Sequence, residues 1–327
     1  MDELTPKTTL VPSIAPAFIV GVPRSGTTIL VHLMGTHPLL APIYETRFLR
    51  NLVRLCARAS WFCGDSFLPA MARLVAHRAI GLQLVKECQR FRKKAIAYHG
   101  GPSGKLIRYT VEELERETDL WLNRLEKGCL PGGEIYRSAK EFVDRLFAIH
   151  CERLNKPYWI DKTPGLLNHL GGLSKIYPGA KCIHIIRDGR DVAVSIVSQR
   201  WGANNLRDAA ERWKNLMLEG RRGVDARRLS YMEVRYENLI DSSAATLTGI
   251  LDFLGLAGDP KEMLSHFKLH DRSIGAWRTV FTGEDRKSFA KAAGDLLIEL
   301  GYERDHSWVR PGGAASGLRK KRFGLQP

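Results

Sequence analysis

Gly21-Val22-Pro23-Arg24-Ser25-Gly26-Thr27-Thr28 follows the apolar run Ala17–Val20 and leads into residues 28–34, which have helical spacing. A strand, a glycine-bounded loop and a helix in that order aim successive backbone N–H groups and a helix N-terminus at one anion. The glycine spacing is that of the triphosphate loop G-x-x-x-x-G-K-[ST], except that Thr27 stands where the lysine belongs. A kinase or ATPase needs that lysine on the β- and γ-phosphates, usually with Mg²⁺. This loop offers N–H donors, two threonine hydroxyls and one guanidinium, Arg24, on its crest. Such a donor set suits a phosphate-linked group other than a γ-phosphoryl.

Outward from the loop, strand-like runs at 18–20, 158–160, 182–186 and 231–234 alternate with helical patterns. That alternation predicts an α/β fold: a P-loop-like central parallel sheet flanked by helices. Between 47 and 155 no strand pattern is evident, and helical patterns run over 48–58, 67–98, 111–127 and 139–154. This stretch reads as a helical insertion, broken at the Gly/Pro/Ser clusters 100–104 and 131–133. Arg50, Arg54 and Arg58 share one helical face opposite Leu49, Leu52 and Leu55, as a solvated face or as a binding stripe. A glycine-rich segment at 311–317 precedes Arg319-Lys320-Lys321-Arg322 and is expected as a flexible basic tail. The expected organisation is one domain over 1–327, with a core from about 15 to 305, the helical insertion at about 47–155 and the tail at about 311–327.

The chain has 327 residues, 44% of them hydrophobic, enough for a real core. Its 50 Lys and Arg outnumber 35 Asp and Glu, giving +15. That excess favours an anionic ligand, an acidic peptide or a nucleic acid, or else serves only solubility. No apolar run approaches the ~18 residues of a membrane span, and the first sixteen residues lack an export signal pattern. Cysteines 56, 63, 88, 129, 151 and 182 include no C-x-x-C pair, so reduced thiols in a cytoplasm are expected, with Cys182 a small core residue.

A second signal is Cys182-Ile183-His184-Ile185-Ile186-Arg187-Asp188-Gly189-Arg190-Asp191. An ATPase strand would end here in a magnesium-binding aspartate, whereas this one ends in Arg187. Ser195 lies about a turn into the helix that follows, and an arginine with a hydroxyl forms a phosphomonoester site. The alternative is a surface turn in which Arg187 pairs with Asp191.

Together, residues 23–28 and 187–195 resemble the two cofactor signatures of the sulfotransferases that use 3′-phosphoadenosine 5′-phosphosulfate (PAPS). The resemblance implies that Arg24, Ser25, Gly26, Thr27 and Thr28 hold the 5′-phosphosulfate and that Arg187 and Ser195 hold the 3′-phosphate. Arg235-Tyr236-Glu237-Asn238-Leu239 is similar to the family's Y-E-x-L segment, which would put Tyr236 near the adenine. The stretch from Trp277-Arg278 to Leu300-Gly301-Tyr302 resembles endings of bacterial-type members. These landmarks run in family order from about 17 to 302.

Within the family, Tyr44-Glu45-Thr46-Arg47 resembles the tyrosylprotein sulfotransferase branch, whose glutamate at this place is the catalytic base. Glu45 is therefore the expected general base, with a salt bridge to Arg47 or Arg50 as the blander role and His32 or His37 as substitutes. Asp161-Lys162-Thr163-Pro164 resembles the branch's lysine segment, implying that Lys162 stabilises the leaving phosphate and the sulfonate; the alternative is a plain surface lysine. Arg47 either orients the acceptor, especially an acidic one, or forms a structural ion pair. Arg272-Ser273-Ile274-Gly275-Ala276-Trp277 only loosely resembles the family's R-K-G-x-x-G loop, and its role stays open.

The secretory members of that branch have a membrane anchor and cysteines near the glutamate and lysine. Here Pro42 and Ile43 precede Tyr44-Glu45, Ile160 precedes Asp161-Lys162, and no anchor is found, which implies a cytoplasmic, bacterial-type enzyme. No metal is required, since sulfonate carries a single negative charge, and no nucleic-acid partner is expected. The acceptor is a hydroxyl on a tyrosine or peptide, a glycan or a small molecule. A P-loop nucleotide kinase is opposed by Thr27 and Arg187. A non-catalytic basic nucleotide- or nucleic-acid-binding protein is opposed by Glu45 with Lys162 and by the absence of an aromatic-basic motif.

Overall fold

Four residues in a row, Ala17–Val20, are fully buried in β1, the middle strand of a five-stranded sheet ordered β2-β3-β1-β4-β5. Every pairing is parallel. A parallel sheet is covered on both faces, which is why β1 is apolar throughout and does not alternate. The computed structural model describes residues 14–45, 47–63, 79, 109–127, 132–223, 229–267 and 274–310. The helix expected over 67–98 and the tail at 311–327 lie outside these residues, apart from Ala79.

Beside β1 lie β3 (Tyr158–Lys162) and β4 (Lys181–Ile186), and β5 (Ser230–Arg235) forms one edge. The other edge is β2 (Leu40–Tyr44), a strand absent from the sequence reading. Pro42 sits in its middle, and a residue without an N–H is tolerated on an edge strand. β3 continues two residues past its expected end, so that Lys162 closes the strand in register with Tyr44. The chain passes from β1 out to the β2 edge, returns through β3 beside β1, and then crosses to β4 and β5 on the other side, so the carboxyl ends of the central strands open at a topological switch point.

Helix α1 (Thr27–Thr36) leaves the loop after β1, and α2 (Arg47–Cys63) begins soon after β2. The insertion continues with α3 (Val111–Lys127) and α4 (Gly132–Leu154). Aromatic side chains tie it to the sheet. Trp121 stacks on Phe142 at 5.5 Å, Phe48 meets Phe142 and Phe147, and Phe147 lies 5.0 Å from Trp159 of β3, which in turn touches Phe18 of β1 at 5.4 Å. Each such pair adds about 0.5–1.5 kcal/mol beyond the area it buries. On α2, Leu49, Leu52, Val53 and Cys56 are buried while Arg50 and Arg54 are exposed, as an amphipathic helix requires.

After β3 come a 3₁₀ turn (Pro164–His169) and α5 (Leu170–Ile176); after β4 come α6 (Gly189–Val197) and α7 (Leu206–Arg222). The chain ends its described course with α8 (Tyr236–Asp241), α9 (Ser243–Leu254), α10 (Pro260–Ser265), α11 (Trp277–Val280) and α12 (Gly283–Glu299). Two compact units divide the chain: Met1–Arg187 with Leu216–His270, and Asp188–Asn215 with Asp271–Pro327. The first contains the whole sheet. The second contains α6, α11 and α12, and its core packs Trp213 and Trp308 against Phe289.

Between β4 and β5, His184 Nδ1 is 2.5 Å from the Tyr231 hydroxyl, which donates to Glu233 Oε1 at 3.1 Å. Arg221 closes the network on Glu233 with two bonds of 2.9 and 2.7 Å. Burial lowers the His184 pKa. Burial alone would raise the Glu233 carboxyl, but bonds from His184 and Arg221 and the charge of Arg221 hold it far below the usual carboxylate range. Cys56, Cys151 and Cys182 are buried free thiols, with burial pushing Cys182 up to about 12.

Candidate functional site

Each of the five strands delivers a residue singled out in the sequence at or just past its carboxyl end. β1 gives the loop Gly21–Thr28, β2 gives Glu45, β3 gives Lys162, β4 gives Arg187 and β5 gives Tyr236. All belong to the first unit.

The loop is shaped by two left-handed residues, Arg24 at φ 76° and Gly26 at φ 100°. Alternating conformations of this kind turn consecutive N–H groups toward one concave point. Gly26 must be glycine, because a Cβ there would lie 2.4 Å from Cδ2 of Tyr236, and one at Gly21 would lie 2.6 Å from the Ile185 carbonyl. Arg24 is exposed on the crest, as expected. Ser25 is 0% exposed, and its Oγ has no hydrogen-bond partner. An unmatched buried hydroxyl costs about 1–3 kcal/mol, a cost that a bound oxygen would remove.

Lys162 and Glu45 meet directly. Nζ donates to Glu45 Oε1 at 2.7 Å and to Thr28 Oγ1 at 3.3 Å, and lies 5.8 Å from the centre of the Tyr44 ring. The lysine side chain is 3% exposed and the glutamate side chain 38%. The backbone fixes this pairing, since the N–H of Glu45 donates to the Lys162 carbonyl at 2.8 Å and so extends the β2–β3 ladder by one bond. Glu45 has φ 36°, a conformation a non-glycine residue adopts only where the surroundings impose it. At the other end of β2, the Lys156 ammonium donates to the carbonyls of Gly35, His37 and Leu40 at 2.6, 3.0 and 3.0 Å, tying the end of α1 to the start of the strand. Among the described residues, the structure gives Glu45 the partner Lys162, where the sequence reading weighed Arg47 or Arg50. Lys162 is no surface lysine. The side chain of Arg47 lies outside the described residues.

The two substitute bases differ. His37 is buried, with Nδ1 accepting from the Leu39 N–H at 3.2 Å and Nε2 donating to the Ala257 carbonyl at 3.0 Å, so both ring nitrogens serve the fold. His32 projects from α1 with its ring 5.0 Å from that of Tyr44 and 6.1 Å from that of Phe267. Burial and then the charge of Lys162 lower its pKa, and burial pushes the Tyr44 phenol up to about 12. Both groups are therefore neutral near pH 7.

Arg187 is nearly buried, donates from Nη1 to the Arg24 carbonyl at 3.2 Å, and lies with its guanidinium 4.5 Å from the centre of the Tyr236 ring. Gly26, Tyr236 and Arg187 thus pack as one group. The rest of the R-D-x-R-D string is structural in the second unit. Asp188 caps α6 by accepting from the Arg190 N–H at 2.9 Å, and pairs with that residue's Nε and Nη2 at 3.0 and 2.7 Å. Arg190 is buried, bonds Glu303, and lies 3.9 Å from the Trp277 ring and 4.8 Å from the Trp308 ring. The Asp191 carboxylate accepts from the N–H groups of Gly275 at 2.8 Å and Trp277 at 3.0 Å, which gives the segment of open role a structural anchor. Ser195 is half-buried on α6 of this same unit.

Among the described residues, no three His, Cys, Asp or Glu side chains gather as a metal site would need. No described helix is long and apolar enough to cross a membrane.

A profile described as "Sulfotransferase family" matches residues 16–260. Protein-tyrosine sulfotransferase A of Caenorhabditis elegans is 24% identical over 265 residues, 79% of this chain and 54% of that protein. Protein-tyrosine sulfotransferase 2 of Gallus gallus is 22% identical over 246 residues, 73% of this chain and 51% of that protein. The chain thus spans about half the length of these curated relatives. Among solved structures, the sulfotransferase domain from the Synechococcus PCC 7002 olefin synthase matches with a TM-score of 0.49 and 22% identity, covering 88% of this chain and 97% of that chain.

Proposed function

The chain belongs to the sulfotransferase family, and from that premise we propose that it moves a sulfonyl group from PAPS to an acceptor hydroxyl, with Glu45 as general base and Lys162 as electrostatic catalyst. The observation that carries this reading is the direct Glu45–Lys162 contact of 2.7 Å beside Thr28 of the phosphate loop. A proton acceptor and a cation then stand within one side chain of an anion cradle.

The residues present fit an anionic phosphosulfate. The left-handed turns at Arg24 and Gly26 open the loop's N–H groups, the absence of a Cβ at Gly21 and Gly26 is enforced by packing, and the buried Ser25 hydroxyl awaits an acceptor or donor. In this reading Arg24 and the loop from Ser25 to Thr28 hold the 5′-phosphosulfate, Arg187 takes the 3′-phosphate, and Tyr236 lies beside the nucleoside. Ser195 enters only through the sequence signature it shares with Arg187. The bound donor supplies a sulfonyl group on a phosphate leaving group.

Glu45 accepts the proton of the acceptor hydroxyl as its oxygen attacks. Lys162 and the loop N–H groups stabilise charge on the bridging oxygen, where it grows most in the transition state. Arg47 at the start of α2 orients the acceptor, and the +15 charge suits an acidic one. The names of the protein-tyrosine relatives make a tyrosine side chain one candidate acceptor, beside a glycan or small-molecule hydroxyl. The buried free thiols fit a reducing cytoplasm.

The test is transfer of label from sulfur-labelled PAPS, without added metal, to acceptors fractionated from a lysate. Glu45→Gln is expected to lower turnover by ~10²-fold or more while the fold persists. Unchanged turnover would remove the base assignment, and no labelled acceptor with the wild-type protein would remove the sulfonyl-transfer reading.

A further inference from the structure

Building on that reading, we propose that the Glu45–Lys162 ion pair is a latch opened by the donor, so that the base is released only after the donor's anionic groups draw Lys162 away. Two tasks are assigned to two groups that are bonded to each other. While Nζ donates to Glu45 Oε1, that oxygen is occupied by an ammonium proton, and the charge meant for the leaving group is neutralised by a carboxylate.

Geometry makes this a switch between two partners and prevents loose drift. The Lys162 side chain is 3% exposed, so its ammonium gains little hydration by leaving Glu45 and exchanges the carboxylate for another acceptor beside it. Its second bond is to Thr28, in the first turn of the helix that closes the phosphate loop, so Nζ already stands between the base and the anion cradle. An ammonium has three protons, and passing from the carboxylate to a donor phosphate oxygen changes one partner while the Thr28 bond persists. The neighbouring aromatic groups offer no competing charge: the pKa of His32 is lowered and that of the Tyr44 phenol raised, leaving both neutral. Glu45 itself is anchored through its N–H to the Lys162 carbonyl, so release of the ammonium frees the carboxylate without moving the strand ends. The consequence is an order of events. Donor binding precedes the unmasking of the base, and an acceptor that arrives first finds it paired.

A double-mutant cycle read by calorimetry tests the latch, with adenosine 3′,5′-bisphosphate as the probe and the full chain as the protein. Glu45→Gln removes the competing charge and is expected to tighten the probe by about three- to tenfold when Lys162 is present. In a Lys162→Met background the same change is expected to alter affinity by less than about twofold. Thermal melting checks each variant, and Lys162→Gln replaces the methionine variant if that one fails to fold. Equal tightening in both backgrounds would mean plain repulsion between Glu45 and the anion, and would overturn the latch alone. No tightening, or weakening, in the wild-type background would overturn it too. A wild-type protein that does not bind the bisphosphate at all would overturn the donor reading and the latch together.

Discussion

In the loop Gly21–Thr28, the Ser25 hydroxyl is fully buried and has no partner. In the stretch Asp188–Asp191, the Arg190 guanidinium is bonded to Asp188 and to Glu303, and the Asp191 carboxylate accepts from backbone N–H groups at 275 and 277. Both stretches follow a buried parallel strand, and both contain an arginine of the kind that binds anions. Their difference shows that charge in a motif is not charge offered to a ligand. The unmatched Ser25 hydroxyl lies in a loop whose N–H groups turn toward one point, where a bound oxygen can complete its bonding. The buried Arg190 guanidinium, by contrast, has its charge met within the fold by Asp188 and Glu303 and by the faces of two indole rings.

The largest effect expected from this contrast is on stability. Arg190→Ala leaves Asp188 and Glu303 without their cation inside the second unit, and breaking a buried pair in this way costs about 3–5 kcal/mol. Urea denaturation measures it. A loss below about 1 kcal/mol would return the Arg190 guanidinium to the class of solvated surface charges.

Arg187, three residues earlier, is expected to respond on the other axis. Arg187→Ala should weaken adenosine 3′,5′-bisphosphate by about 10- to 100-fold, the loss of a charged hydrogen bond, and weaken adenosine 5′-phosphate much less. Equal losses for both nucleotides in calorimetry would erase the 3′-phosphate role. The pair of variants thus separates two arginines that the string R-D-x-R-D presents alike.

That separation explains what was legible in advance. The parallel sheet showed itself through mostly apolar runs, because strands covered on both faces are largely buried, and Ala17–Val20 and Lys181–Ile186 fell where their patterns put them. β2 did not, because Leu40-Ala-Pro-Ile-Tyr is short and carries a proline; only its place at the sheet edge makes Pro42 acceptable. The roles of Arg24, Glu45 and Lys162 were suggested by motif resemblance. The contact of Glu45 with Lys162 was not, since it bridges residues 117 apart and depends on the β2–β3 register. For Arg190 and Asp191 the missing information was again distant: their partners Glu303, Gly275 and Trp277 lie 84 or more positions along the chain.

The smallest effect is the most discriminating. Ser25→Ala deletes a buried hydroxyl that has no partner in the free protein, so no internal bond is lost and the desolvation penalty of an unmatched group disappears. Stability is expected to hold or rise by up to about 1 kcal/mol, while adenosine 3′,5′-bisphosphate binding weakens by about two- to tenfold. Opposite signs on the two measurements are what a ligand-directed hydroxyl must give, because its cost is borne in the free protein and recovered in the complex. If stability and affinity fell together, Ser25 would instead be holding the loop, as Asp191 holds the segment at 275–277, and the contrast between the two motifs would vanish.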